Sequence, residues 1–445
     1  MQGRRRLWPR ILAGVVIFAL VAVAAAYWWV RPLLRTGTGY AAHNACALDV
    51  IAHRTPLTAD LPPNPLVPYL RIGPDGEGYR SSVLGVLAGQ HAWPVDGFGC
   101  TLAESPPTFG PASSIDAAAN PIAAQPAPAA DPALEAAVAT AFGDDLDVAG
   151  RDRLGTRAVV VLRDGRIVAE RYAPGFTATT PQLGWSMSKS VASLLLGVLV
   201  GQGLVGMQDT HLRPEWTDER ARITIDDLLR MRSGLAWDET YDLGTPITEM
   251  LYNQPDMAAF AASQKLAHPV GTVQQYSSGS TNLLCRVLRA KTVRGPDLPR
   301  RELLAPLGTS SAIWEADATG NPVCSSYLWA TPRDWAAIGQ FALSDGVWNG
   351  ARLLPEGWMR TTTTVIGVPT QEDPNYAGGW WTNLTSAGTL IDPELPRDAY
   401  WASGHDGQRM YVVPSERLVV VRLGFSPDAD DIRTNRLVAD VIAAG

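Results

Sequence analysis

Three scarcities narrow the possibilities before any motif is read. Histidine and cysteine are thin, at six and four in 445 residues. None of them falls in a C-x-x-C or H-E-x-x-H spacing, so no structural or catalytic zinc is expected, and nothing implies another metal or cofactor. Basic residues are not in excess: 37 Lys and Arg against 44 Asp and Glu leave a net charge of -7. A nucleic-acid-binding surface is therefore not expected. The G-x-S-x-G elbow is also missing, since Gly184-Trp185-Ser186-Met187-Ser188 breaks it, and a Ser-His-Asp arrangement on that elbow is set aside. No internal repeat is visible.

What is present is ordinary for a large folded chain: 46% hydrophobic and 18% charged residues, with fifteen tryptophans. That many indoles predict a large aromatic core and an amphipathic cleft lining, with Trp185, Trp237, Trp380, Trp381 and Trp401 as candidates for the cleft. The N-terminus reads differently. Residues 11–30 are uncharged and mostly apolar, and at about 1.5 Å per residue they span roughly 30 Å, one bilayer core. Arg4, Arg5, Arg6 and Arg10 precede the run, while only Arg31 and Arg35 follow closely. The positive-inside rule then puts the N-terminus in the cytoplasm and the rest outside, periplasmic or extracellular. Tyr27, Trp28 and Trp29 stand where an interfacial belt would. The rival reading is a cleaved signal peptide with Ala24-Ala25-Ala26 as its small-residue site. The run continues past those alanines for a full span, which favours an uncleaved single-pass anchor.

Export gives the four cysteines meaning. Three pairings are open; Cys46–Cys100 with Cys285–Cys324 keeps each pair within one segment. A buried free thiol is the alternative for Cys285, which sits in an apolar helical pattern. The chain divides into an anchor (1–35), a small unit (36–103), a Pro/Ala-rich linker or strap (104–131) and a main domain (132–445). The main domain opens with a helix and a hairpin, 158–172, turning at Asp164-Gly165. It closes with two strands around Pro414-Ser415-Glu416 and a last helix. The middle is mostly helical; one helix there starts at an N-cap Thr224 and is expected to stop at Gly234. Strands at both ends and helices between predict an α+β fold: one antiparallel sheet from both termini, with a helical insertion.

Three stretches carry chemistry. In "GWSMSKS", Ser186 begins a helix, where unpaired N–H groups favour developing negative charge. Lys189 lies three residues on, along the same face. A partly desolvated amine there has a lowered pKa and takes the proton of an attacking serine. Alone, S-x-x-K is a weak signal, equally compatible with an N-cap serine and a solvated lysine. In "YSSGSTNLL", Tyr276 near a lysine would lose its proton more easily and relay it to a leaving group, with Ser278 adding a hydrogen bond. In "SGHDGQRM", His405-Asp406-Gly407 reads as the opening of a strand, where glycine admits a substrate backbone. The Gln408 N–H, with that of Ser186, would form an oxyanion hole.

Together, in this order, the three stretches resemble the serine β-lactamase and penicillin-binding protein superfamily. They look most like its class C β-lactamase-like esterases and 6-aminohexanoate-dimer hydrolases. The resemblance runs from about residue 154 to the C-terminus and includes "ITIDDLLRMRSGLAWDE" and "ATPRDWAAIGQFALSDGVWNGARLLPEGWM". It implies Ser186 as acylated nucleophile, Lys189 as base and Tyr276 as proton relay. It implies His405-Asp406-Gly407 in place of the lysine-threonine-glycine triplet of the β-lactamases. That exchange removes a fixed positive charge and adds a carboxylate, which favours a neutral ester or amide over a β-lactam carboxylate. The alternatives are a β-lactamase or D-amino-acid-specific peptidase acting on cell-wall peptides, and a non-catalytic penicillin-binding-like sensor. Oligomeric state is not legible.

Overall fold

The computed structural model describes residues 7–445. Arg4, Arg5 and Arg6, which orient the leading segment above, lie outside the described residues.

The chain begins with α1 (Leu7–Val50), a single helix of 44 residues with Pro32 inside it. Residues 11–26 are exposed along its length, and Trp29 is 84% exposed. Among the described residues it is the one helix long and apolar enough to cross a membrane. The helix does not end near residue 35: the expected boundary between anchor and small unit falls inside it. The reason is cover. Ala41, Ala42, Ala45 and Ala47 are fully buried, and their small side chains let a sheet pack close to the helix axis. That sheet is an antiparallel meander of β1 (Leu70–Asp75), β2 (Gly78–Val83), β3 (Leu87–Val95) and β4 (Gly99–Leu102). The Cys46–Cys100 disulfide ties α1 to β4.

A buried carboxylate is one of the ties between this unit and the main body, beside Gln90 Nε2 on the Tyr252 carbonyl at 2.7 Å and Thr101 Oγ1 on the Ala316 carbonyl at 2.9 Å. Glu315 is fully buried and accepts from His43 Nε2 at 3.0 Å, the Cys100 N–H at 2.8 Å and Trp329 Nε1 at 2.8 Å. Removing it orphans three donors from three separate segments. Glu315→Ala is expected to weaken the chain by about 3 kcal/mol. Limited proteolysis checks this: cleavage should appear first in the 36–103 unit. Residues 104–131 contain no helix or strand and run as a strap over the main body. Ile122 is buried in the main core, and Asn120 Nδ2 donates to Asp334 at 2.6 Å.

The main body has the expected α+β architecture. α2 (Pro132–Ala141) precedes the hairpin of β5 (Thr156–Arg163) and β6 (Arg166–Tyr172). Asp164 and Gly165 both take positive φ, 53° and 72°, as a two-residue hairpin turn requires. Then come α3 (Met187–Gly201), α4 (Ser278–Lys291) and α5 (Pro332–Leu343). The chain closes with β7 (Trp381–Thr382), β8 (Tyr400–Gly404), β9 (Gln408–Val413), β10 (Leu418–Gly424) and α6 (Thr434–Ala443). The six strands form one antiparallel sheet in the order β7-β8-β9-β10-β5-β6. Side chains alternate between its faces. Val160, Leu162, Met410, Val412 and Val421 join the helical core with α3 and α5. Val159, Val161, Tyr411, Val413 and Val420 pack against α2 and α6.

Two local expectations shift. Thr224 does cap a helix, with a reciprocal Asp227 contact, but that helix ends at Leu229. Met231 adopts φ 58° and stops it three residues before Gly234, which serves a later turn. Cys285 is not a free thiol; it is bonded to Cys324 and joins α4 to the loop that enters the site.

Candidate active site

Trp185 adopts φ 47° and swings the chain from a short strand into α3, which leaves Ser186 at the helix mouth. Two readings of the opening serines separate here. Ser188 is fully buried and donates to the Trp185 carbonyl at 2.7 Å. Ser186 occupies the N-cap position but makes no capping hydrogen bond with its side chain. Its hydroxyl instead receives Lys189 Nζ at 2.9 Å.

Lys189 is 2% exposed. Its Nζ also donates to Ser278 Oγ at 2.8 Å and to the Ser325 carbonyl at 3.1 Å. Three oxygens thus account for the three hydrogens of an ammonium. Burial disfavours that charge and brings the pKa down from 10.5 to about 8, against an opposing pull from the Glu239 carboxylate 3.8 Å from Nζ. A lysine at this value holds an appreciable neutral fraction near neutral pH.

Glu239 has no counterpart in the sequence reading. Its Oε1 accepts from the Ser278 hydroxyl, and its Oε2 from the Ser278 N–H at 2.8 Å and Trp237 Nε1 at 2.6 Å. Ser278 therefore links the lysine to a carboxylate: it receives from one and donates to the other. "WDETYD" carries no local signature for this role; only the folding of that loop over the start of α4 creates it.

Tyr276 lies with its ring 4.8 Å from Lys189 Nζ, flanked by Tyr376 and Trp381 at 5.2 and 5.6 Å. The expectation of an easily lost phenolic proton is corrected. Burial raises the Tyr276 pKa, the Glu239 charge raises it further, and the Ser186 hydroxyl only partly offsets this. Tyr276 is a neutral phenol at pH 7. Lys189, not a tyrosinate, is the group in the cluster with a proton to exchange near neutrality.

The third stretch needs a larger correction. His405-Asp406-Gly407 does not open a strand; it is the turn between β8 and β9, with Asp406 at φ 57°. A Cβ on Gly407 would lie 2.4 Å from Arg422 Nη1, and that guanidinium donates to the Gly407 carbonyl at 2.7 Å. Gly407 thus faces Arg422 rather than a substrate. Gln408 pairs with Gly404 across the turn, and its amide donates to the Gly424 carbonyl at 2.6 Å and accepts from the Gly424 N–H at 3.0 Å. It is committed to the sheet. The Asp406 carboxylate is buried, which raises its pKa, and neither oxygen has a hydrogen-bond partner among the described residues. His405 Nε2 approaches it at 3.4 Å, while the imidazole stacks on Tyr241 at 4.4 Å.

The strand beside Ser186 is β8 itself. A Cβ on Gly404 would fall 2.1 Å from the Gly184 carbonyl, so only glycine lets β8 lie against the turn that carries the serine. β7 covers β8 only at Tyr400 and Trp401, which leaves the edge of 402–404 open. The Ala399 carbonyl accepts from Asn383 N–H on the β7 side at 2.8 Å. By the alternation of an extended chain, which ends at Gly404, the backbone groups of Ser403 and the N–H of His405 face that same open edge. Of the five tryptophans assigned to the cleft, Trp380 is wholly buried and Trp401 is core, stacked on Tyr411 at 5.0 Å. Trp185, Trp237 and Trp381 do touch the cluster. Among the described residues, no group of three or more His, Cys, Asp or Glu is arranged to hold a metal ion.

A serine, a buried lysine three residues on, a tyrosine over that lysine and an open strand edge match a known pattern, and the Beta-lactamase family model matches residues 138–443. The chain belongs to the β-lactamase family. It is similar to a 6-aminohexanoate-dimer hydrolase of Paenarthrobacter ureafaciens, at 25% identity over 305 residues, 62% of this chain and 74% of the relative. Among solved structures it is similar to a penicillin-binding protein homologue from Caulobacter crescentus (TM-score 0.55, 17% identity, covering 72% of this chain and 99% of that one). It is also similar to a family VIII carboxylesterase (TM-score 0.53, 18% identity, 72% and 99%). The β-lactamase-like α+β fold is thereby shown, and the chain is a hydrolase of this superfamily. The match begins inside α2, so the leading helix, the small unit and the whole strap lie outside it.

Proposed function

We propose that this β-lactamase family member cleaves a neutral ester or amide through an acyl-enzyme on Ser186. Neutral Lys189 accepts the Ser186 proton as Oγ bonds to the substrate carbonyl carbon. The oxyanion is met by the N–H groups of Ser186 and His405, at a helix mouth and a strand edge. When the carbonyl re-forms, the bond to the leaving alcohol or amine breaks. The Tyr276 phenol donates its proton to that group and is reprotonated from Lys189. Water then adds to the acyl carbon, giving a proton to Lys189; Lys189 passes that proton to Ser186 Oγ as its bond to the acyl carbon breaks, which releases the free acid and restores the neutral amine. Ser278 and Glu239 hold the lysine in place and moderate its charge.

The observation that carries this reading is the amine of a buried Lys189, 2.9 Å from an uncapped Ser186 hydroxyl. A neutral substrate is favoured because the triplet beside Ser186 carries His405 and a buried Asp406, while the nearby Arg409 guanidinium is taken up by the Gly404 and Gln408 carbonyls at 3.1 and 2.8 Å. The 6-aminohexanoate-dimer hydrolase relative and the carboxylesterase fold neighbour fit an amide or ester as the bond cleaved. A fluorophosphonate probe tests it: the native chain should label on one site, and Ser186→Ala should not label. A silent native chain would favour a binding role instead. p-Nitrophenyl esters, nitrocefin and linear amide dimers then sort the substrates, and nitrocefin turnover above the esters would favour a β-lactamase.

A further inference from the structure

The N-terminal unit does more than rest on the hydrolase body. Between it and the body lies a cavity of about 300 Å³. One wall is the Tyr40 turn of α1 with Leu61, Leu66 and Val67; the other is Leu243 and Tyr252, and the inner end reaches Tyr241 and His405. Tyr40 stacks on Trp185 at 6.1 Å, and Trp185 meets His405 at 5.5 Å. The inner end therefore reaches the group at the open edge of β8, and its lining rings Tyr40, Tyr241 and His405 pack against Trp185, the residue before Ser186.

The outer end lies close to the apolar span. Thr36 and Gly37 line the cavity, and Gly37 is seven residues past the end of the apolar run, about 10 Å along the helix. The side chains around this level are apolar and unusually open: Leu33 is 41%, Tyr69 55%, Leu84 57% and Val86 76% exposed. Tyr69 and Leu84 adjoin, since the Leu84 N–H donates to the Tyr69 carbonyl at 2.9 Å, and Leu33 lies beside Gly244, next to the cavity wall at Leu243. The Ala88 N–H donates to the hydroxyl of Tyr27, inside the aromatic belt, at 3.0 Å. An exposed apolar rim at interfacial depth gains by lying on a bilayer.

We propose that the substrate is a membrane-resident amphiphile, whose aliphatic chain passes from the bilayer surface into this cavity and delivers its ester or amide to Ser186. The proposal rests on the hydrolase reading above and on α1 remaining in the membrane. The N-terminal unit then sets specificity. It supplies the chain-binding wall that the family-matching residues 138–443 do not contain.

The test uses the full chain reconstituted in phosphatidylcholine vesicles, with kcat/KM measured for p-nitrophenyl acetate and p-nitrophenyl decanoate. The native chain should prefer the decanoate by ~10-fold or more. Leu66→Trp and Leu243→Trp fill the cavity from opposite walls, and each should lower the decanoate-to-acetate ratio by ~10-fold. A native ratio near one, or a ratio unmoved in both variants, overturns the proposal. A second arm needs no turnover: a dansylated decylamide should bind Ser186→Ala and bind ~10-fold more weakly when Leu66→Trp is added. Probe binding that responds to Leu66→Trp, in a chain that cleaves no ester, sinks the hydrolase reading and keeps the cavity. Ester cleavage without chain-length preference or probe binding does the reverse.

Discussion

Lys189→Met will lower kcat/KM for an activated ester by about 10³-fold, since a positioned base contributes roughly 10²–10⁴. It will also abolish the pH dependence that the native chain shows. With the Lys189 pKa near 8, the neutral amine grows about tenfold per pH unit below that value, so native kcat/KM should climb to a plateau above pH 8. The same burial has a stability signature whose sign is fixed. The folded pKa lies below the unfolded 10.5, so between about pH 8 and 10.5 the unfolded chain binds the extra proton. Native stability should therefore rise with pH through that window, by about 3 kcal/mol in all, relative to Lys189→Met. Denaturant melts of both proteins at pH 7 and pH 10 measure it. An unchanged difference between the two would show that the amine is not desolvated, and the proposed base would go with it.

The paired replacement Cys285→Ser and Cys324→Ser should cost about 4 kcal/mol, because the bond closes a segment with a sequence separation of 39. Activity should fall as well. The residue after Cys324 is Ser325, whose carbonyl receives Lys189 Nζ at 3.1 Å and whose N–H donates to Asn282 Oδ1 at 3.0 Å. Loosening that loop frees one of the three oxygens around the amine. The control is the other bond: Cys46→Ser with Cys100→Ser should weaken the N-terminal unit comparably while leaving the Lys189 shell intact. Calorimetry gives the first quantity and short-ester kcat the second. Equal kcat losses from both pairs would refute the positional role of the Cys285 loop.

Features encoded over a few adjacent residues were legible. Ser186 and Lys189 meet because three residues is nearly one helical turn, and the Asp164-Gly165 hairpin follows from two residues that tolerate positive φ. The antiparallel sheet with a helical insertion was legible from strand and helix periodicity at the two ends and in the middle. Features set by register or by convergence were not. His405-Asp406-Gly407 looks like strand, but the Gly404–Gln408 pairing and Arg422 behind Gly407 make it a turn and hand the open edge to β8. Tyr276 next to a lysine suggests an acidic phenol, yet burial and Glu239 push the other way. The end of the apolar run suggested a boundary at residue 35, but a helix persists wherever its next face finds cover, and the meander supplied it.

By itself, then, the amino-acid order determined which groups sit one helical turn apart, which segments alternate as strands, and that twenty apolar residues lead the chain. Only the tertiary structure decided that Glu239 reaches Ser278, that β8 rather than the turn after it lines the serine, and that the N-terminal unit encloses a cavity. These depend on backbone segments tens to hundreds of residues apart arriving at one place. Local propensity carries no information about that convergence, because it is fixed by burial summed over the whole core.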